Sequence, residues 1–549
     1  METLILKYTL QNAIKFNGRA SAGAIIGKVF AEKPELKSNA AFLGKKIAET
    51  VKKVNSMSPE DQLKKLTELA PELLEEKKEK KKKELPELNN AVKGKVVTRL
   101  APEPSKYLHI GHAFSFLINY MFAKKYEGKC ILRFDDTNPE KALKEYYKSI
   151  EEDLTWLGIK PEHKVIASND MEKFYSYAEK LILDKNAYVC FCTQDTIQKN
   201  REEMKLCDCR ESSPDMNLVE WNKMESGKYK EGKAILRLIG SMDSLNAVMR
   251  DPVLFRIIRA KHPIQKTKYK VWPMYDFETV IEEELCGITH IMRSNEFGEM
   301  RIELQSYIRG LLGFKKQEVL QYSRFNVTGS ITKGREIREL IKAGNMLGWD
   351  DPRLVTLSAL RRRGIQPEAL YELALEVGFS SSEKSIDWSL ISAINRKLID
   401  HKANRYSFVE NPKLITIEGA PNKTVKVPLH PDDNKRGFRK FKINGKFLIS
   451  DSIEHNKNYR FMHLFNFSNN KFISQHLDPS LGAKLMHWLP AEGNIEAEVL
   501  MPDVSIKKGL IEANAKKLKV NDIVQFERFG FVRLDKKTPT KLYFRYTHD

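Results

Sequence analysis

The sequence predicts a multidomain protein whose core is an α/β parallel sheet, with a helical region before it and a strand-rich region after it. Two apolar runs predict the first strands, one at 96–100 and one at 129–134. Between them apolar residues repeat at helical spacing, as at Phe114, Leu117, Ile118, Met121 and Phe122. Strand, helix and strand in this order form a βαβ unit with parallel strands. Ligands of such sheets bind at the carboxyl ends of the strands.

The region before the sheet is predicted to be helical over residues 1 to about 75. Apolar residues recur there at helical spacing, as at Ala41, Phe42, Ile47 and Val51. Ser58 and Pro59 mark a helix start, because serine caps a helix and proline suits its first turn. The Glu- and Lys-rich run at 75–84 is interpreted as a solvated helix end or linker. A contact with a nucleic-acid backbone is the alternative.

The rest of the chain divides by pattern into three further regions. Residues from about 190 to 290 break the alternation of strands and helices, and we interpret them as an insertion. Residues 335–400 return to a helical pattern. From about residue 405 short strands alternate with turns, at the spacing of β-barrels or sandwiches. A chain of 549 residues suits about two to four domains, which agrees with this division.

Composition and charge narrow the class of protein. With 41% hydrophobic and 30% charged residues the chain is typical of a globular protein. Its apolar runs are too short to cross a membrane, and its first residues lack a secretory pattern, so we expect a cytoplasmic protein without a membrane partner. The net charge of +20 attracts polyanions. Charge alone leaves both a basic soluble enzyme and a nucleic-acid-binding protein open.

The tetrapeptide 109–112 is the first candidate site, because it lies at the junction between the first strand and the first helix. Backbone N–H groups and the helix dipole favour phosphate at such a junction. Gly111 allows a nucleotide to approach the backbone. His109 and His112 can bind phosphate oxygens and stabilise charge in a phosphoryl or nucleotidyl transfer. The alternatives are a chance match and a pair of metal ligands.

The loop at 330–335 is the second candidate, because Lys333 stands among small residues there. A lysine in such a loop suits the phosphates of ATP as they separate. The alternative is an ordinary solvated basic loop.

Four cysteines are predicted to bind a structural metal. Cys190 and Cys192 form one Cys-x-Cys pair, and Cys207 and Cys209 form another after residues 193–206. Four thiolates are the ligand set of structural zinc, and a metal would fold a loop that has little core of its own. Four unrelated thiols are the alternative. The remaining two cysteines, Cys130 and Cys286, are interpreted as small core residues.

Several motifs together resemble those of class I glutamyl- and glutaminyl-tRNA synthetases. The resembling segments occur in order at 99–112, 132–139, 272–277, 287–290, 348–354, 361–364 and 524–528. Residues 1–75 are similar to the helical N-terminal module of the archaeal type. The resemblance therefore covers the chain from about residue 95 to its end, with a further likeness near its start.

The resemblance implies a domain order. It implies a Rossmann-like catalytic core in two halves, 91–189 and 286–335, around an inserted acceptor-end domain with the zinc site at 190–285. A helical N-terminal module with a charged linker would occupy 1–90, and a helical connecting domain 336–404. Antiparallel β-barrels that bind the anticodon would form 405–549.

The resemblance also implies which residues handle ATP. His109 and His112 would bind its phosphates and stabilise the transition state of adenylation, beside Gly111. Thr332 and Lys333 would belong to the mobile loop that contacts ATP, with Arg335 as the alternative loop cation.

A second set of residues would form the amino-acid pocket. Arg99, Asp135 and Tyr275 would line it, with Asp135 or Glu103 near the α-amino group. Arg293 stands where the glutamate-specific members of the family have arginine. A bidentate guanidinium suits a side-chain carboxylate, so this residue favours glutamate over glutamine.

The structural alternative for Arg293 is an ion pair with Glu296 or Asp276. The resemblance implies an ATP- and Mg²⁺-dependent activation of L-glutamate and its transfer to the 3′ end of tRNA(Glu), with tRNA(Gln) open as a second acceptor. We expect a monomer. A glutamine-specific member is the first alternative, which Arg293 argues against. An adenylyltransferase without tRNA is the second, which the basic charge and the strand-rich C-terminal region argue against. A non-catalytic tRNA-binding relative is the third.

Overall fold

The computed structural model describes residues 1–16, 18–74, 84–378 and 384–549. The chain forms two compact units, Met1–Glu84 and Leu85–Asp549. Apart from Glu84, the charged run that we interpreted as a linker lies outside the described residues. None of the helices in the described ranges is long and apolar enough to cross a membrane.

The first unit is helical, as predicted. Its helices are α1 Glu2–Lys15, α2 Ala22–Glu32, α3 Ala40–Asn55 and α4 Pro59–Leu69, with 3-10 helices Pro34–Asn39 and Pro71–Leu73. Helix α1 packs against the other three. The Ser58 side chain accepts a hydrogen bond from the Asp61 N–H and Pro59 occupies the first turn, so the predicted helix start is confirmed. Ile47 is buried, whereas Phe42 is exposed.

The second unit begins with the predicted βαβ pattern. Its first elements are β1 Val97–Leu100, α5 Ile110–Lys125, β2 Lys129–Phe134, α6 Lys144–Trp156 and β3 His163–Ile166. β2 lies between β1 and β3 and is parallel to both. Helix α5 packs on β1 and β2 through side chains that are almost fully buried, such as Leu117 and Phe122. The predicted parallel sheet is therefore confirmed.

An antiparallel sheet with its own core follows. Helix α7 Met171–Leu183 precedes β4 Ala187–Cys190, α8 Gln194–Glu202, α9 Pro214–Glu225, β5 Ile235–Leu238, β6 Val253–Ile257 and β7 Val271–Pro273. The four strands pair in chain order. Trp221, Phe255 and Trp272 are fully buried in the core of this region. The interruption of the parallel pattern that we interpreted as an insertion is thus a separate sheet.

The parallel strands then resume beside β1. The elements are α10 Tyr275–Leu285, β8 His290–Ser294, α11 Gly298–Leu312 and β9 Glu318–Tyr322. β8 is parallel to β9. The Thr289 N–H donates to the Val97 carbonyl (3.0 Å), and the Val97 N–H donates to Thr289 Oγ1 (2.9 Å). The two groups of parallel strands are therefore adjacent.

Helices predominate between residues 334 and 399, as predicted. After β10 Phe325–Val327 come α12 Gly334–Lys342, α13 Leu357–Arg363, α14 Pro367–Val377, β11 Lys384–Ile386 and α15 Trp388–Ile399. The pattern did not predict β11, which pairs in parallel with β10.

The C-terminal region consists of short strands, as predicted. They are β12 Arg405–Tyr406, β13 Phe408–Glu410, β14 Lys413–Thr416, β15 Lys423–Pro428, β16 Phe438–Ile443, β17 Lys446–Ile449, β18 Asn458–Phe461, β19 Asn466–Ser468, β20 Lys471–Ser474, β21 Lys484–Met486, β22 Leu489–Pro490, β23 Ile495–Leu500, β24 Ile506–Ile511, β25 Ile523–Phe526, β26 Gly530–Lys537 and β27 Lys541–His548. Seven of them form one sheet in the order β12-β25-β26-β27-β23-β24-β13. The pairs β12–β25 and β23–β27 are parallel, so the prediction of a purely antiparallel arrangement is wrong for this sheet. Arg439 of β16 is 1% exposed and forms ion pairs with Glu512 (2.9 Å) and Glu527 (3.0 Å). These pairs join β16 to the ends of β24 and β25 in the seven-stranded sheet.

Candidate active site

A cavity of about 440 Å³ lies where β1 and β8 end. Of the predicted site residues, Arg99, Glu103, His109, Gly111, His112, Tyr275 and Arg293 line it. Two guanidinium groups from separate strands and two imidazoles from a helix start therefore share one wall. Of the described residues that line this cavity, none is Asp135, Thr332 or Lys333.

At the start of α5, backbone N–H groups donate hydrogen bonds to the rings of both histidines. The Gly111 N–H donates to His109 Nδ1 (3.1 Å), and the His109 N–H donates to His112 Nδ1 (3.2 Å). Because both Nδ1 atoms accept, the proton of each neutral ring is on Nε2. Burial lowers the pKa of His109 to about 3 and the pKa of His112 well below its usual range. The pair therefore offers two neutral N–H donors at neutral pH.

Gly111 leaves no room for a side chain. A Cβ atom there would lie 2.9 Å from Cε1 and 3.1 Å from Nδ1 of His109. Gly111→Ala is expected to displace the His109 ring and to weaken ATP binding about tenfold, because overpacking forces a buried group to move. Calorimetric titration with ATP measures this change. Gly310→Ala is the matched control, since no heavy atom lies within 4 Å of its added Cβ. Equal affinities of the two variants would contradict the role of Gly111.

Arg99 belongs to a buried ionic network behind the cavity. Its Nε donates to Glu283 Oε1 (3.2 Å). Thr279 lies next to Glu283 and accepts from Arg133 Nη2 (3.0 Å). Arg133 in turn holds Asp135 with two bonds of 2.5 and 2.9 Å. Asp135 therefore lies beside the predicted amino-acid pocket and is bound by a neighbouring guanidinium.

Arg293 projects from β8 into the cavity wall and is 4% exposed. Its Nη1 donates to Gln305 Oε1 (2.8 Å). Burial lowers its pKa, but a guanidinium stays charged in proteins. The two carboxylates considered as its structural partners bind other cations: Arg324 pairs with Glu296 (2.7 Å), and Arg301 pairs with Asp276. Arg293 therefore places a buried cation at the cavity, held by Gln305.

The loop at 330–335, which carries Lys333, approaches the cavity through a neighbouring residue, Lys106. Lys333 is exposed and precedes the first residue of α12. A Cβ atom on the next residue, Gly334, would lie 3.1 Å from Cδ of Lys106, and Lys106 lines the cavity. Arg335, the alternative loop cation, donates to Glu339 (3.0 Å). The loop therefore lies next to the cavity, and within the described part of the chain Lys333 forms no such ion pair.

Tyr275, the first residue of α10, brings a phenol to the same wall. Burial raises its pKa. Glu103 accepts from Ser105 Oγ (2.8 Å) and pairs with Lys141 (3.4 Å), so its carboxylate is fixed at the rim. Sequence reasoning missed Arg324 and Gln305, because nothing in their local patterns marks them. Only their contacts across the fold do.

The four predicted metal-binding cysteines lie together. The Sγ atoms of Cys190, Cys192, Cys207 and Cys209 are all within 4.8 Å of one another. Two of these separations are 3.7 Å and 3.3 Å. Sulfurs about 2.3 Å from a tetrahedral zinc ion lie about 3.8 Å apart, so the donor set fits zinc. Arg237 Nη1 contacts the Cys190 sulfur (3.9 Å), as a second layer around thiolate charge would.

Comparison with known proteins identifies the family. The model of the catalytic domain of class I tRNA synthetases (E and Q) matches residues 95–401, and two models of their anti-codon binding domain match residues 403–481 and 485–535. The chain is 42% identical over 573 residues to the glutamate–tRNA ligase of Pyrococcus furiosus, with 100% of both chains covered. It is 40% identical over 548 residues to that of Methanocaldococcus jannaschii, with 98% of both covered. The chain therefore belongs to the class I tRNA synthetases of the glutamate and glutamine group.

Proposed function

We propose that this protein is a glutamate–tRNA ligase, which uses ATP to join L-glutamate to the 3′ end of tRNA(Glu). The observation that carries the choice of amino acid is the buried Arg293 guanidinium, which lines the same cavity as both histidines. A fixed cation in a cavity favours a carboxylate over an amide of the same size. The full-length similarity to glutamate–tRNA ligases supports the same substrate.

The proposed chemistry has two steps. The glutamate α-carboxylate attacks the α-phosphorus of ATP, and pyrophosphate leaves with the electrons of the broken P–O bond. The ribose hydroxyl of the terminal adenosine of the tRNA then attacks the carbonyl of the mixed anhydride, and AMP leaves. His109 and His112 would donate from Nε2 to phosphate oxygens as charge develops on them. Mg²⁺ would enter with ATP and offset part of its charge.

Lys333 and Thr332 would contact ATP only after the loop moves toward the cavity. Lys333 is exposed, and its loop already packs on Lys106 at the cavity wall. Arg99, Tyr275 and Asp135 would line the pocket around the amino acid. Glu103 or Asp135 would lie near its α-amino group. Glu103 lines the cavity and Asp135 does not, which favours Glu103 for the second of these roles.

The tRNA would span several parts of the chain. The anticodon-binding matches at 403–481 and 485–535 support contacts there, and the net charge of +20 supports a wide footprint. We propose the division into an N-terminal module at 1–90, a core at 91–189 and 286–335 with an acceptor-end domain at 190–285, a connecting domain at 336–404 and anticodon-binding β-barrels at 405–549. The ligase would act as a cytoplasmic monomer, and tRNA(Gln) is a second candidate acceptor.

Pyrophosphate exchange tests this function. The purified protein is supplied with ATP and either glutamate or glutamine, each with and without tRNA. We expect exchange with glutamate when tRNA is present and little with glutamine. Exchange with glutamine alone would make the protein a glutamine ligase. Exchange that needs no amino acid or tRNA would make it an adenylyltransferase of another kind, and no exchange with glutamate and tRNA would reject the proposal.

The cysteine cluster is proposed to hold structural zinc. The four thiolates would take every position of a tetrahedral ion, so the metal would fold the loop and take no part in catalysis. Cys207→Ser is expected to lower the zinc content from about one ion per chain to near zero and to make the region around 190–210 sensitive to proteases. Metal analysis and limited proteolysis measure this. Cys286→Ser, outside the cluster, is the control and should keep its zinc. Full zinc content in the Cys207 variant would contradict the site.

A further inference from the structure

Helix α11 presents a row of three side chains toward α10. They are Arg301, Gln305 and Arg309, spaced four residues apart and thus on one face of the helix. The two outer members are cations that pair with carboxylates of α10: Arg301 with Asp276, and Arg309 with Glu284 (2.8 Å). The middle member is a neutral amide. It is at this position that α11 meets Arg293.

Gln305 uses both ends of its amide. Its Oε1 accepts from Arg293 Nη1 (2.8 Å), and its Nε2 donates to Asp276 Oδ1 (2.9 Å). It is 6% exposed, so neither bond is exchanged readily for water. A carboxylate of the same shape could accept from Arg293 but could not donate to Asp276, and a cation could donate to Asp276 but not accept from Arg293. The amide satisfies both neighbours, which neither a carboxylate nor an ammonium group could do.

The neutrality of Gln305 has a consequence for the cavity. A carboxylate at 305 would pair with the Arg293 guanidinium and neutralise the cation that faces the ligand. The amide fixes the same guanidinium with a hydrogen bond and adds no charge. It also binds Asp276, and so holds that carboxylate on the far side of the amide from Arg293.

We propose that Gln305 is a positioning residue that sets the preference for glutamate over glutamine by orienting Arg293 without neutralising it. This inference rests on the proposed function, in which Arg293 binds the substrate side chain. It goes further, because it assigns the selectivity to the neutrality of a residue that does not line the ATP cavity.

The test compares Gln305→Glu with Gln305→Met in tRNA-dependent pyrophosphate exchange. The glutamate variant keeps an acceptor for Arg293, loses the hydrogen bond to Asp276 and adds a negative charge. The methionine variant has similar length and no charge, and it loses both hydrogen bonds. The KM values for glutamate, glutamine and ATP are measured for each. Gln317→Glu is the control for a charge that is near Arg293 but not bonded to it: Gln317 lines a second cavity with Gln305 and Arg293, and its side chain donates to the Ile288 carbonyl (2.8 Å).

We expect Gln305→Glu to raise the KM for glutamate about 10- to 100-fold, as the loss of a charge-assisted interaction does, and to reduce the preference over glutamine similarly. Gln305→Met should raise the KM for glutamate less, because Arg293 keeps its charge. The KM for ATP should stay unchanged in both variants, and Gln317→Glu should behave as the wild type. A purely structural role predicts instead that the KM for ATP rises together with the KM for glutamate, because a carboxylate at 305 would repel Asp276 and disturb the cavity.

The outcomes separate this inference from the proposed function. No use of glutamate by the wild type would reject the function. Normal use by the wild type, loss in Arg293→Gln and no change in Gln305→Glu would keep the function and reject the role of Gln305. A Gln305→Met variant that is as impaired as Gln305→Glu would also reject it. Should Gln305→Glu fail to fold, an unchanged KM for glutamate in Gln305→Met would reject the role, and a raised KM with an unchanged KM for ATP would support it.

Discussion

Replacing Arg293 by glutamine is expected to lower kcat/KM for glutamate about 10²- to 10³-fold, because the substrate carboxylate would lose a buried, charge-assisted partner. The KM for ATP should change little, since His109 and His112 stay in place. Arg293→Lys keeps the charge but loses the planar fork, so it should recover only part of the loss. Steady-state pyrophosphate exchange with tRNA gives both constants.

The selectivity of the Arg293→Gln variant is as informative as its rate. A neutral residue no longer favours a carboxylate over an amide, so the ratio of kcat/KM for glutamate to that for glutamine should fall with the rate for glutamate. An unchanged KM for glutamate would remove Arg293 from the substrate site. Equal losses for glutamate and ATP would instead indicate that the whole cavity had collapsed.

Removing either imidazole should mainly lower kcat. His109→Ala and His112→Ala each delete a neutral donor from the wall of the cavity, and the loss of one such donor costs about 10²- to 10³-fold. The double variant should lose less than the product of the two, because the His109 N–H binds the His112 ring and the two act as a unit. Single-turnover formation of the adenylate measures this step apart from tRNA charging.

The same histidines predict a feature of the pH profile. Burial lowers the pKa of His109 to about 3 and the pKa of His112 well below its usual range. A histidine with a lowered pKa stays neutral as pH falls, until the pH reaches that low value. Across about pH 5.5 to 8.5 both rings should therefore remain neutral donors, and kcat at saturating ATP and Mg²⁺ should show no ionisation of these rings near 6.5. Such an ionisation, lost in His112→Ala, would contradict the neutral pair.

The sequence predicted what depends on local pattern. The parallel sheet followed from the apolar runs around α5, and the Cys-x-Cys spacing was enough to bring Cys190 and Cys207 together. The placement of the histidines followed from their position between a strand and a helix. In each case the deciding neighbours are close along the chain, so periodicity and spacing contain the information.

The sequence did not predict which residues far apart along the chain contact each other. Arg133 binds Asp135, which is two residues away, whereas Arg99 binds Glu283, which is far away along the chain. No sequence pattern shows which carboxylate pairs with which guanidinium. The pairing of Arg324 with Glu296 depends on how the ends of β8 and β9 meet, and the pairing of Arg301 with Asp276 depends on how α10 and α11 pack. The short strand β11 forms because β10 offers it an edge, since three residues alone carry no strand pattern.

The hydrogen bonds between Val97 and Thr289 also bear on the order of events during synthesis. They join residues 192 positions apart, and the sheet of β4 to β7 with its own buried core lies between them. Domains generally fold as units from the N-terminus as a chain emerges from the ribosome. The histidines of α5 are thus made long before the arginine of β8, with the sheet of β4 to β7 between them. A nascent chain that stops before residue 290 is expected to contain the segment proposed to bind phosphate and to lack the arginine proposed to select the amino acid.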